Sequence, residues 1–168
     1  MDSTSLGGRI ATSAHPLRCA VFLSGSGSGM EALVHAQREQ TLPHQTVVVV
    51  ANKLGIEGLE RAQRLGLPTV VVELKNDGKL LSREEHEAEI LRQLDGHDVE
   101  FVVLSGYMRL LSPAFLNEWP HRVVNIHPSF LPHFPGAHAH RDVLASRASI
   151  TGCTVHLVDD GMDTGAIL

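Results

Sequence analysis

The sequence predicts an α/β fold, a doubly wound and mainly parallel sheet with helices on both faces. Three observations point to it. Short apolar runs of strand length alternate with segments of helical period along the chain, and that alternation marks βαβ units. The first apolar run, Leu17 to Leu23, leads at once into Ser24-Gly25-Ser26-Gly27-Ser28-Gly29 and then into a helical segment. A later run, Val123 to His127, stops at Pro128 and carries Asn125 and His127 on either side of one apolar residue. Open α/β sheets place their ligands at such strand ends.

Each element follows from local pattern. After the first strand and its Gly/Ser turn, Met30, Leu33 and Val34 share one helical face. Free backbone N–H groups and the positive dipole end of that helix face the turn, which fits either an anion site or a plain connection. No Lys-Ser/Thr pair makes the turn a P-loop. No acidic ribose clamp follows at the usual distance of about 20 residues, so a phosphate monoester suits the turn better than a pyrophosphate. Thr46 to Ala51 is a second buried strand. Ile56, Leu59, Ala62 and Leu65 line a helix that Gly66 can cap. Pro68 restarts the chain into a third strand, Thr69 to Val72, and Lys75 to Lys79 is a polar loop.

Ser82-Arg83-Glu84-Glu85 has the capping-box pattern and opens a helix burying Ile90, Leu91 and Leu94, with its acidic residues on a solvated face. Phe101 to Ser105 is a fourth strand. It runs into Gly106-Tyr107-Met108-Arg109-Leu110-Leu111, too apolar for an idle loop, which either packs inward or lines a pocket. Ser112-Pro113 starts a short helix with Pro at its first position. On an extended backbone Asn125 and His127 point to the same face. An amide and an imidazole side by side can stabilise an oxyanion while moving a proton; the same two residues also fit a solvated strand end. The following loop is stiffened by Pro128, Pro132 and Pro135 and carries His133, His138 and His140. These histidines lack cysteine partners or an HExxH arrangement, so no metal site is expected. Val143-Leu144 belongs to a helix. Thr151 to Val158 alternates as a sixth strand, and Asp159 to Gly165 is an acidic turn able to bring a carboxylate to His127.

Composition narrows the function. With 43% hydrophobic residues, 168 positions suffice for one domain with a real core. A formal net charge of -5 argues against a nucleic-acid duplex as partner. No apolar run approaches the roughly 20 residues of a membrane span. Residues 1–16 have no apolar core and read as a flexible leader rather than a secretory signal, leaving 17–168 as a single domain. Cys19 and Cys153 lie in strand-like runs without metal-ligand spacing and read as buried, reduced thiols of a cytoplasmic protein.

Taken together, several motifs resemble one family. Asn125-Ile126-His127-Pro128-Ser129 is followed by a Leu-Pro-x-x-Pro-Gly loop from Leu131 to Gly136 and an Asp-x-Gly turn at Asp163. With Ser24-Gly25, Gly27-Ser28, Gly58 to Ala62, Ser82 to Glu84, Gly106 to Arg109 and Thr151 to His156, the ordered set resembles the folate-dependent formyltransferases from about Arg18 to Leu168. The Ser/Gly turn and the run Gly136 to Arg141 resemble the branch acting on glycinamide ribonucleotide.

The resemblance implies an enzyme of purine biosynthesis with a Rossmann-like formyltransferase fold. The ribonucleotide amine would attack the formyl carbon of 10-formyltetrahydrofolate, a co-substrate, with no metal and no covalent intermediate. Asn125 and His127 would stabilise the oxyanion, and Asp163 would hold His127 protonated and assist proton transfer. Gly27, Ser28 and Gly29 would hold the phosphate, with Gly106, Met108 and Ile126 along the ribonucleotide. Leu104, Arg109, Leu110 and Leu111 match the folate pocket, and Arg83 an arginine near the folate's glutamate tail. Partners would be these small molecules, with no nucleic acid and no membrane, for a monomer or homodimer. The family usually has Asn at the positions of Ser26 and Gly29. It also continues past the matched region with a final strand and helix, which carry a lysine and a glutamate used around the ribonucleotide; the domain would then be C-terminally incomplete. Hydrolysis of the formyl folate, or a non-catalytic relic that only binds, are the alternatives.

Overall fold

A computed structural model describes residues 9–168. Its strands are β1 (Leu17–Leu23), β2 (His44–Ala51), β3 (Thr69–Val71), β4 (Lys75–Asn76), β5 (Lys79–Leu80), β6 (Phe101–Leu104), β7 (Val123–His127) and β8 (Thr154–Leu157). Its helices are α1 (Ser28–Glu39), α2 (Glu57–Arg64), α3 (Arg83–Gly96), α4 (Pro113–Glu118) and α5 (Ala139–Ser146). Six strands form the main sheet in the order β3-β2-β1-β6-β7-β8. All pairings are parallel except β7 with β8.

The strands are buried on both faces, and each phase of the alternation meets its own helices. Ala20 and Phe22 of β1 join Val48, Val50, Val102 and Val123 against Ile90 and Leu94 of α3 and Phe115 of α4. Val21 and Leu23 join Val49, Ala51, Val103 and Val124 against Met30 and Val34 of α1 and Leu59 and Ala62 of α2. This double coverage is why the strand sequences are nearly continuous hydrophobic runs. The chain leaves β1 towards β2 and β3, then returns to β6 on the other side of β1. The turns after β1 and β6 therefore diverge from a switch point, which opens a crevice at the carboxyl edge.

Several expectations change. Residues 75–80 form a two-stranded hairpin rather than a loop, turning at Asp77 (φ 48) and Gly78 (φ 80), the left-handed pair such tight turns require. The acidic face of α3 is not wholly solvated. Glu87 is buried, accepting a 2.8 Å bond from the Ser112 backbone N–H and another from the Ser112 hydroxyl. It thereby fixes the start of α4. The capping box of α3 forms in full, with Ser82 and Glu85 bonding reciprocally. Cys19 is buried as expected, but Cys153 is exposed. Inward positions on β8 go to Thr154 and His156, so Cys153 and Val155 face outward. Beyond β8, Ile167 bridges antiparallel to His156, and the Leu168 N–H donates 3.0 Å to the Val155 carbonyl.

Of the segment read as a leader, residues 1–8 lie outside the described residues. Arg9 is held by Glu100 and by the carbonyls of His15 and Pro16. Among the described residues no helix is long and apolar enough to cross a membrane.

Candidate functional site

One cleft of about 670 Å³ runs along the carboxyl edge. Its first wall is the turn from Gly25 to Gly29. Gly27 caps α1 in the left-handed region (φ 73), and among the described residues no side chain caps the helix. The first-turn N–H groups of α1 thus stay free to face a ligand. The turn is held from behind by α2: the Gly58 N–H donates 3.0 Å to the Gly25 carbonyl. There is no room for a methyl group at that contact, since a Cβ on Gly27 would lie 2.6 Å from Gly58 Cα. Arg61 of α2 reinforces the seam by pairing with Glu31 of α1 and, at 2.6 Å, with Glu57.

The second wall follows β6. The Ser24 N–H donates 3.1 Å to the Gly106 carbonyl, and the Met108 N–H donates 2.9 Å to Ser24 Oγ. These bonds tie the segment 106–111 to the first turn across the switch point. That segment does both things its composition allowed. Tyr107 packs edge-on against Phe22 and Leu111 is buried, while Met108 and Leu110 are 61% and 45% exposed along the cleft. Burial pushes the Tyr107 hydroxyl up to about 12, so this ring is a neutral wall.

Between the walls lies a polar cluster contributed by the end of β7, by β8 and by the acidic turn. Asp163 adopts the left-handed region (φ 55) and its side chain is 10% exposed. Its Oδ2 accepts 2.7 Å from the Gly136 N–H and lies 3.3 Å from His127 Nδ1. Its Oδ1 accepts 3.3 Å from Asn125 Nδ2. His127 is buried, and its Nε2 donates 2.8 Å to the Phe134 carbonyl. With that nitrogen donating, Nδ1 faces the carboxylate, and the His127–Asp163 pair has a place for one proton between them. Thr154 braces the Pro-rich loop from below, donating 2.7 Å to the Ser129 carbonyl and accepting 3.0 Å from the Leu131 N–H.

Asn125, His127 and Asp163 are therefore brought together, with Gly27, Ser28, Gly29, Gly106, Met108, Ile126, Leu104, Arg109, Leu110 and Leu111 lining the same cleft. Arg83 does not line it; it is exposed at the start of α3. His138, His140 and Arg141 do line it, whereas His133 does not. Among the described residues no group of three or more His, Cys, Asp or Glu is placed to hold a metal ion. Sequence reasoning missed two residues of this region. His156 is paired in register with Asn125 across β7 and β8. Its signals were its place in the Thr151 to His156 motif and a polar residue on the phase shared with Thr154. Gly58 was visible only as part of a motif, because its tight contact joins segments about 30 residues apart.

The family model for formyl transferases matches residues 17–168. The trifunctional purine biosynthetic protein adenosine-3 of Drosophila pseudoobscura pseudoobscura is 46% identical over 153 residues, covering 90% of this chain and 11% of that protein. Phosphoribosylglycinamide formyltransferase of Escherichia coli (strain K12) is 36% identical over 153 residues, covering 90% of this chain and 70% of that protein. The crystal structure of phosphoribosylglycinamide formyltransferase from Bacillus halodurans superimposes with a TM-score of 0.81 at 41% identity, covering 89% of this chain and 76% of that one. The chain thus spans a small part of the trifunctional relatives and about 70% of the length of the bacterial one.

Proposed function

The chain belongs to the formyl transferase family, and we propose that it transfers the formyl group of 10-formyltetrahydrofolate to the amine of glycinamide ribonucleotide, in the cytoplasm. The observation that carries this assignment is the cluster of Asn125, His127 and Asp163 facing a Gly/Ser turn across one cleft. The cleft has a polar end suited to a phosphate monoester. It also has an apolar end at Leu104, Met108, Leu110 and Leu111 suited to a flat ring system. The ribonucleotide would lie along Gly27, Ser28, Gly29, Gly106 and Ile126. Arg83, outside the cleft, would meet the folate's glutamate tail where it leaves the pocket.

The chemistry follows from the hydrogen bonds. The amine lone pair attacks the formyl carbon, and the carbonyl electrons move onto oxygen. An N–H of Asn125 exchanges Asp163 for the oxyanion as its acceptor while the amide keeps its orientation; its 3.3 Å contact is long for a charge-assisted bond and costs little to exchange. His127, carrying the proton shared with Asp163, adds positive charge beside the same oxygen. Asp163 then accepts a proton from the attacking amine, directly or through water. The folate nitrogen takes up one proton as the carbon–nitrogen bond to it breaks and the carbonyl re-forms. One amine proton has moved to the folate, and atoms and charge balance.

Initial rates of folate deformylation, measured with and without ribonucleotide, test this. Ribonucleotide-dependent turnover is expected. Equal turnover without it would make the reaction a hydrolysis, and binding of both ligands without turnover would make the chain a binder only.

A further inference from the structure

We propose that His156 is a positioning residue for formyl transfer: it fixes which end of the Asn125 amide faces the reacting carbon. This deepens the function proposed above and rests on it. His156 is 3% exposed and stands directly across from Asn125 in the β7–β8 pairing. Its Nδ1 lies 2.8 Å from the Leu157 carbonyl. A carbonyl only accepts, so Nδ1 carries a hydrogen, and the neutral ring then presents a lone pair at Nε2. Nε2 sits 3.2 Å from Asn125 Nδ2 and 3.5 Å from Asp163 Oδ1; with the ring neutral, the Asn125 amide is the one donor between these two acceptors.

The Asn125 amide thus faces two acceptors, the His156 ring nitrogen and the Asp163 carboxylate. Only the orientation with the NH2 group towards both satisfies them; the flipped amide would set its oxygen against two lone pairs. When Asp163 gives up its share to the oxyanion, the His156 bond remains and keeps the donor end in place. Preorganised donors stabilise charge because they need not turn during the reaction.

The ring is itself braced. Gly165 packs onto the Leu157 carbonyl so closely that a Cβ there would lie 1.7 Å from its oxygen. The Leu157 N–H donates 2.8 Å to the Ala166 carbonyl. The turn that delivers Asp163 therefore also holds the carbonyl that sets the His156 tautomer.

Nitrogen-15 NMR of the ring-labelled chain at neutral pH tests the tautomer directly. A protonated Nδ1 and a bare Nε2 are expected for His156; a hydrogen on Nε2 overturns the proposal. Kinetics supply a second readout. His156→Leu removes the acceptor, and kcat should fall by about tenfold to a hundredfold, with both KM values within about twofold. His156→Gln restores an acceptor near the position of Nε2 and should recover most of the loss. A folded His156→Leu with unchanged kcat, or with both KM values raised and kcat kept, contradicts a positioning role. Should that variant not fold, the tautomer and the His156→Gln turnover still decide. Should the unmodified chain transfer no formyl group, the proposed reaction fails, while the ring signals still test this inference.

Discussion

Replacing Gly58 by Ala presses on the proposed phosphate turn from behind without entering the cleft. A methyl group there would lie 2.8 Å from the Gly25 carbonyl oxygen and 3.2 Å from Gly27 Cα. Backbone atoms cannot swing aside, so the turn must retreat by about 0.6 Å to restore ordinary contact. Overpacking of this kind costs about 1–3 kcal/mol. The same displacement lengthens backbone N–H bonds to a phosphate, each worth about 1.5–3 kcal/mol when the acceptor is charged. Loss of about 1.4–2.8 kcal/mol of that binding weakens ribonucleotide affinity about tenfold to a hundredfold. Steady-state kinetics against each substrate in turn should show a raised ribonucleotide KM and a nearly unchanged folate KM. Gly96→Ala, at a helix end with nothing within 4 Å, is the control for glycine replacement as such. A folded Gly58→Ala chain with an unchanged ribonucleotide KM, or with both KM values raised alike, would refute the reasoning.

His127→Ala and Asp163→Asn should each lower turnover by about two powers of ten or more with folding intact, whereas His133→Ala, outside the cleft, should do much less; circular dichroism and initial rates check both. Stability should also depend on pH through His86, which is buried and bonded at 2.8 Å to the Val72 carbonyl. Burial, aided by the charge of Arg109 and opposed by the Val72 bond and Glu87, holds its pKa below the ordinary 6.5. The unfolded chain then binds the proton first as pH falls, so stability is full above 6.5 and declines below it, down to the folded-state value. Urea midpoints between about pH 5 and pH 8 should show that decline, and it should be shallower in His86→Gln; an identical slope in the variant would remove His86 as the cause.

What could be read from sequence was whatever depends on near neighbours in the chain. The strand, Gly/Ser turn and helix around Gly27, the capping box at Ser82 and the strand end at His127 each show their chemistry within a few residues. The Asp77-Gly78 hairpin was equally local and was passed over because its flanks, Lys75-Asn76 and Lys79-Leu80, are only two residues long and show no apolar alternation. Cys153 and His156 required the register of an antiparallel edge strand, which the alternation of 151–158 leaves free to face either way. Glu87 looked like one more exposed carboxylate on α3, because its partner Ser112 is 25 residues away. Asp163 could be tied to His127 by resemblance, but the grip of Gly136 on its carboxylate belongs to tertiary structure alone.

The central claim is direct transfer of the formyl carbon to the ribonucleotide amine in the Asn125–His127–Asp163 cluster. Carbon-13 in the formyl group of the folate, followed by NMR through a single turnover, reports where that carbon goes. The account expects the label as a formamide on the ribonucleotide, formed at a rate that falls sharply in Asp163→Asn. Label released as formate, or a formamide produced equally fast without Asp163, would contradict it.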